Sequence, residues 1–206
     1  MSELEPVTPE NSTQPAKRGQ KEKPKKTLKR EIFEWVVTIA AAVLIAFVIR
    51  TFLFEPVRVD GGSMLETLQD GEIMFVTKYD YLTSGPERFD VVICHYPNRT
   101  SPGLFGIETQ TNFVKRVVGL PGDTVEIRGG YLYVNGERYE EDYIEHRPYA
   151  DFAAYTVPEG YYFVMGDNRA NSHDSRADDV GPIARDQIVG HVQSVLFPFS
   201  AWRTIE

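Results

Sequence analysis

The run IFEWVVTIAAAVLIAFVIRTFLF, from Ile32 to Phe54, constrains this chain more than any other stretch. Its uninterrupted centre, Trp35 to Ile49, has fifteen residues, and the whole segment has 23. A helix needs about 20 mostly apolar residues to cross a hydrocarbon core. Glu34 and Arg50 sit near the two ends, where charged heads reach the interface, and Trp35 and Phe54 suit the interfacial aromatic belts. The buried helix of a soluble protein would share this pattern, and a cleaved signal peptide also has a basic region ahead of an apolar core. The residues that follow, IRTFLFEPV, offer no small-x-small cleavage site. An uncleaved transmembrane anchor over residues 31–54 is therefore expected.

Charge orients the anchor. Residues 1–30 hold eight Lys/Arg against four Glu, a net +4, so the formal −8 of the chain leaves −12 on residues 31–206. By the positive-inside rule the basic tail lies in the cytoplasm and everything after Arg50 faces outward, which puts the body on the extracytoplasmic side of the cell membrane. Four prolines, many charges and few apolar side chains make the tail, residues 1–30, a disordered segment. The acidic body argues against nucleic-acid binding. Cys94 is the sole cysteine, so no intramolecular disulfide can form.

Beyond the anchor the chain reads as short strands punctuated by turns: IMFVTKY (73–79), DVVICHY (90–96), NFVKRVVG (112–119), TVEIRG (124–129), YLYVNG (131–136), YYFVMGD (161–167) and QIVGHVQSVLF (187–197). Asn135-Gly136 marks a hairpin. No amphipathic helix of convincing length is present. The expected fold is mainly β, an antiparallel barrel or sandwich behind one N-terminal transmembrane helix.

Three polar features stand out. In DGGSMLETL (60–68), Ser63 lies between glycines and a methionine close after the anchor; glycine there permits a tight turn or the close approach of another chain. In NFVKRVVG, a period of two places Phe113, Lys115 and Val117 on one face. That lysine could guard a sheet edge or snorkel to solvent. If it is buried among apolar groups, its charged form is disfavoured and its pKa falls, and a neutral amine can take the proton of a serine hydroxyl. In MGDNRANSHDSR (165–176), a solvated loop is the plain reading, but Asp167/Arg169 and Asp174/Arg176 form two acid-x-base triplets suited to ion bridges that would rigidify it. Ser172 is then the residue of this loop suited to orienting a neighbouring side chain.

Ser–His–Asp catalysis would need one of His95, His146, His173 and His191; none sits in a catalytic-histidine context, and each reads as structural or exposed. No HExxH, paired CxxC, P-loop or GxGxxG occurs, so neither a metal nor a cofactor is expected.

The anchor, GGSMLETL, FVKRVVGLPGD and MGDNRANSHDSR, in this order from Glu31 to about Gly190, resemble the bacterial type I signal peptidases, membrane-anchored Ser–Lys endopeptidases. The last two motifs are highly specific. The resemblance implies Ser63 as nucleophile through an acyl-enzyme, Lys115 as general base and later acid, and Ser172 as the serine that hydrogen-bonds the lysine amine. Asp167, Arg169, Asp174 and Arg176 would support that geometry, and the Ser63 backbone N–H would donate to the oxyanion. Val57, Val59, Met64, Leu68 and Val114 would line shallow apolar pockets for small side chains at the −1 and −3 positions. Residues 55–124 and 161–206 would form the catalytic domain and residues 125–160 a smaller β-rich, variable insertion, whose acidic run reads only as a solvated face. Substrates would be secretory preproteins with signal peptides, bound as an added β-strand. Membrane lipid would be the other partner, with Phe197, Phe199 and Trp202 touching it or packing in the core.

The chain departs from the family pattern in places. Gly61 stands where many members have a serine that completes the oxyanion hole, although glycine is common among Gram-positive relatives. Glu66 replaces the usual proline of SMxPTL, and ADDV after Arg176 is about two residues longer than usual. Two other readings compete less well. Soluble Ser–Lys autopeptidases lack such an anchor, and a catalytically silent relative would be expected to lack Ser63 or Lys115.

Overall fold

Leu28–Phe52 forms one helix of 25 residues, α1, in a structure (a computed structural model) that describes residues 28–52, 54–65, 67–79, 81, 84–102, 108–145, 147 and 149–205. The helix starts three residues before the expected anchor, and Arg30 Nε pairs with Glu34 Oε1 one turn on, at 3.1 Å. Its large side chains, among them Val36, Ile39, Val43, Leu44 and Phe47, are exposed all along the span. A helix apolar all round, with no polar face, belongs in a membrane or deep in a core; this one is not buried, and it is the one described helix long and apolar enough to cross a bilayer. Residues 1–27, Glu66 and His146, which carried expectations above, lie outside the described residues.

The body is antiparallel throughout its described pairings. One sheet has eight strands: β1 (Phe54–Arg58), β2 (Ile73–Thr77), β3 (Val91–Pro102), β4 (Glu108–Gly119), β9 (Tyr161–Met165), β10 (Ile183–Ala184), β11 (Ile188–Phe197) and β12 (Arg203–Thr204). Their order is β1-β2-β11-β3-β4-β9-β10, with β12 on β11. A second sheet, β7-β6-β5-β8, comprises β5 (Thr124–Arg128), β6 (Tyr131–Val134), β7 (Glu137–Arg138) and β8 (Phe152–Thr156). Phe54, read from sequence as the end of the span, is thus the first residue of β1.

Alternation decides what each strand buries. On β5 and β6, Val125, Ile127, Leu132 and Val134 point inward and pack with Val118, Phe163 and Met165 of the larger sheet. This apolar cluster joins the two sheets, and burying each such side chain contributes roughly 1.5–3 kcal/mol. On β4, both faces are covered from Lys115 onward, because β3 and β9 flank it and both of its faces pack against neighbours. Val91 pairs with Arg116 and Val92 with Lys115 across β3–β4, and Arg116 pairs with Met165 across β4–β9. The register therefore sets the lysine, its neighbouring arginine and the start of the 166–176 loop side by side.

Candidate active site

The serine turn is an excursion between β1 and β2. Its two ends are tied where Val59 N–H donates to Glu72 O (2.8 Å) and Gly71 N–H to Val59 O (3.0 Å). Met64 and Leu68 anchor it from within, both fully buried, with Leu68 N–H donating to Met64 O at 2.8 Å to close a helical turn just after Ser63. Gly61 adopts φ +94 and donates its N–H to Asp70 Oδ1 at 2.9 Å. Residues with a Cβ rarely enter that region, so glycine at 61 is demanded by the backbone.

Asn168 holds the other side of the turn. Its backbone N–H donates to Ser63 O (3.1 Å), and its side-chain amide donates to Gly62 O (3.0 Å). Two successive carbonyls beside the serine are thereby fixed by one residue of the 166–176 loop. Gly166 lies against the same place: a Cβ built there would overlap both Ser172 Oγ and the Ser63 carbonyl oxygen.

Lys115 reaches the serine from β4. Its Nζ lies 2.8 Å from Ser63 Oγ and 2.8 Å from Val114 O, donating to both in its charged form. The residue is 3% exposed, and Nζ stands 5.1 Å from the centre of the Phe113 ring, its neighbour on the same strand face. Burial dominates its ionisation and pushes the pKa down to about 8; the negative charge of Asp174 works against that shift and Arg176 works with it. The nearby Cys94 thiol is pushed up to about 12 by its own burial, so it stays neutral. The arrangement is an amine whose neutral form is accessible near neutral pH, within hydrogen-bond reach of a hydroxyl.

The supporting charges pair differently from the sequence expectation. Asp174 does bind Arg176 through two bonds of 2.8 Å, and it also accepts Gly166 N–H at 3.0 Å. Burial opposes its ionisation, but these donors outweigh it and hold the carboxyl below the usual range. The side chains of Asp167 and Arg169, however, do not form an ion pair; only their backbones meet, Arg169 N–H donating to Asp167 O at 2.8 Å. Asp167 faces β4, where Arg116 Nη2 lies 2.9 Å from its Oδ2 and the Thr67 hydroxyl also donates to it. Arg169 turns the other way, onto Glu141. The reason is the β4–β9 register, which sets Arg116 opposite Met165, two residues before Asp167.

Two further expectations need correction. Ser172 makes no hydrogen bond to the lysine amine: its Oγ is buried and packed on Gly166, and it faces Asp174, where its hydroxyl favours the charged carboxylate. The acidic run after β7 is not wholly a solvated face, because the Glu141 side chain is 0% exposed. Of the five residues expected to line pockets, Val59, Met64 and Leu68 are buried in one apolar cluster with Met74 and Val76, while Val57 and Val114 are half-buried at its margin. A groove of about 240 Å³ beside β1 is walled by Val57, Pro56, Ile93, Asn112 and Val189. Sequence reasoning passes over Arg116, Asn168, Thr67 and Glu141. Arg116 has a local signal, an arginine directly after the lysine on the opposite strand face.

The signal peptidase, peptidase S26 family model matches residues 32–197. Signal peptidase I of Bacillus licheniformis is 43% identical over 185 residues, covering 85% of this chain and 94% of the relative. Signal peptidase I T of Bacillus subtilis is 41% identical over 192 residues, with coverages of 88% and 94%, and signal peptidase IB of Staphylococcus aureus 37% over 194 residues, with 85% and 95%. A crystal structure of a signal peptidase I from Enterococcus faecalis, 32% identical, covers 52% of this chain and 95% of its own, with a TM-score of 0.41. The family match takes in α1 from Ile32 onward, the serine turn, β4 and the loop after β9, and this chain belongs to the signal peptidase S26 family of serine endopeptidases.

Proposed function

We propose that this chain is a membrane-anchored endopeptidase that removes signal peptides from secretory preproteins, with Ser63 as nucleophile and neutral Lys115 as general base. The observation that carries this reading is the 2.8 Å approach of Lys115 Nζ to Ser63 Oγ in a setting that lowers the lysine's pKa. Neutral Lys115 takes the hydroxyl proton as Oγ attacks the scissile carbonyl. The resulting ammonium then gives that proton to the leaving amine, which leaves an ester on Ser63. Lys115, neutral again, draws a proton from water to hydrolyse the ester. Among the described residues the Ser63 N–H has no protein acceptor, so it is available to the oxyanion, whereas the Gly61 N–H is occupied by Asp70.

The substrate's chain adds to the outer edge of β1, the terminal strand of its sheet among the described residues, where main-chain bonds supply affinity and side-chain pockets supply selectivity. Val57 and Val114, half-buried near the serine turn, bound the pocket for small residues. The second sheet serves as the smaller, variable domain. With residues 1–30 in the cytoplasm, α1 spans the cell membrane once and the β body works on its outer side. Enzyme and precursor then share one bilayer, which raises their effective concentration. Phe197, Phe199 and Trp202, all exposed, meet lipid there.

Cleavage of a preprotein carrying an Ala-x-Ala site in detergent tests the reading. Wild type should cut, and Ser63→Ala and Lys115→Ala should each lose about 10³-fold or more in kcat. Wild-type turnover by either variant defeats it.

A further inference from the structure

Glu141 lies in the loop after β7, within the part of the chain that carries the second sheet, and its carboxylate is fully enclosed. Four donors converge on its two oxygens. Arg169 Nη2 and the Tyr143 hydroxyl (3.0 Å) reach Oε1, while Arg169 Nη1 (3.1 Å) and the Tyr149 hydroxyl (3.0 Å) reach Oε2. Arg147 adds a bond to the Glu141 carbonyl at 3.0 Å. Burial pushes both tyrosine hydroxyls up, that of Tyr149 to about 12, so they stay protonated donors through the working pH range.

Arg169 carries this grip into the catalytic loop. Its Nε donates to Gly166 O at 3.1 Å, and its backbone follows directly on Asn168, the residue that holds the Gly62 and Ser63 carbonyls. Tyr143 sits between two buried guanidiniums: Arg116, paired with Asp167, lies 3.9 Å from its ring centre and Arg169 lies 6.0 Å from it. A buried ion pair is weak evidence of a stabilising role, since apolar residues of similar volume commonly do as well. What a bidentate, fully satisfied pair adds is a fixed geometry. Here the fixed object is the stretch Gly166–Arg169, one side of the Ser63 turn.

We propose that Glu141 is a positioning residue for hydrolysis, setting Arg169 and through it Asn168, and hence the backbone on which Ser63 stands. This rests on the reading of Ser63 and Lys115 as the reacting pair. Glu141 touches neither of them; it acts through the loop. Its loss slows the chemical step without changing how the substrate binds or how Lys115 ionises, because that ionisation is governed by burial on β4.

The test uses the full chain in detergent with the Ala-x-Ala preprotein, well below the melting temperature of each variant. It measures kcat, KM, the pH midpoint of kcat/KM and thermal unfolding. Glu141→Ala should lose about 10- to 100-fold in kcat, as expected for a misplacement of roughly 1 Å, with KM and the pH midpoint unmoved. Because that variant buries an unpaired guanidinium, Glu141→Leu with Arg169→Met removes both charges and should recover thermal stability while kcat stays low. Glu140→Gln, at an exposed neighbour that pairs with Arg138, should behave as wild type. If kcat returns with stability in the double variant, or if folded Glu141→Ala turns over normally, the pair is structural alone and the proposal falls. Activity in a parallel Ser63→Ala sample would instead overturn the Ser63–Lys115 reading, and this inference with it.

Discussion

Arg116 and Asp167 form an ion pair 2.9 Å long with side chains 1% and 0% exposed, one residue along β4 from Lys115 and on the opposite strand face. Alternation makes this possible: the lysine and the arginine leave the same strand in opposite directions. Arg116 also donates to Phe89 O, at 2.9 Å, and Asp167 takes the Thr67 hydroxyl from the serine turn. The pair thus ties β4, the 166–176 loop and the serine turn together.

Removing one partner leaves a charge stranded in the interior. Asp167→Ala should cost about 3–5 kcal/mol of stability, read as a shift in the denaturant midpoint at unchanged slope. Arg116→Lys should recover little, because a lysine cannot reproduce the fork that spans Asp167 and Phe89 O. A loss below about 1 kcal/mol would place the pair among weak surface bridges.

The pH dependence of turnover follows from the lysine. Only its neutral form can accept the Ser63 proton, so kcat/KM should rise with pH and level off above a midpoint near about 8. Below it the rate should fall about tenfold per unit, the slope of one titrating group. Asp174 is the largest of the charges that favour the ammonium; Asp174→Asn should therefore move the midpoint to lower pH. A midpoint near the ~10.4 of a free lysine would show that burial does not activate it.

How much of this was legible in the chain depends on the range of the interaction. The apolar run of α1 and the face shared by Phe113, Lys115 and Val117 are local patterns, and both could be read directly. The far half of the β3–β4 hairpin could not. Thr100 pairs with Gln110 and Ser101 with Thr109, polar residues on exposed backbone with no apolar alternation to mark a strand. β8, FAAYT, and β1, with Pro56 on a sheet edge, are faint for related reasons. The ion pairs failed differently. Arg116 and Asp167 are 51 residues apart, and Arg169 and Glu141 are 28 apart. Proximity in sequence suggested Asp167 with Arg169, whereas strand register chose Arg116. The Glu141 pocket depends on how the second sheet's loop folds back over the first, and nothing in EEDYIEH distinguishes its one buried acid from the solvated ones beside it.

Stability should also register the lysine. Its folded pKa of about 8 lies below the ~10.4 of the unfolded chain, so between those values the unfolded state binds more protons and stability rises with pH. Below about pH 8 both states hold the proton and the full penalty of burying the charge is present, on the order of 3 kcal/mol from the size of the shift. Lys115→Met, close in volume, should therefore raise the unfolding midpoint at pH 7 and flatten the rise between pH 8 and 10. A variant that melts lower at pH 7 and keeps the slope would refute this account.

Gly61 is the position where resemblance suggests a gain and the backbone forbids it. Many type I signal peptidases have a serine there, and its hydroxyl looks like an obvious addition to the oxyanion hole. Yet Gly61 sits at φ +94, and a Cβ there would meet nothing within 4 Å, so the obstacle is conformational and not a clash. Holding a side-chain-bearing residue in such a region costs about 1–3 kcal/mol. A serine would also have to leave the residue 61 N–H on Asp70 undisturbed to keep the turn closed. Gly61→Ser should therefore lower stability by that amount and leave kcat at or below wild type, and Gly61→Ala should match it in stability, since the cost arises from φ and not from the hydroxyl. If Gly61→Ser instead gains about tenfold or more in kcat, a donor worth several kcal/mol in other serine hydrolases has been restored, and the turn must relax more readily than its geometry implies.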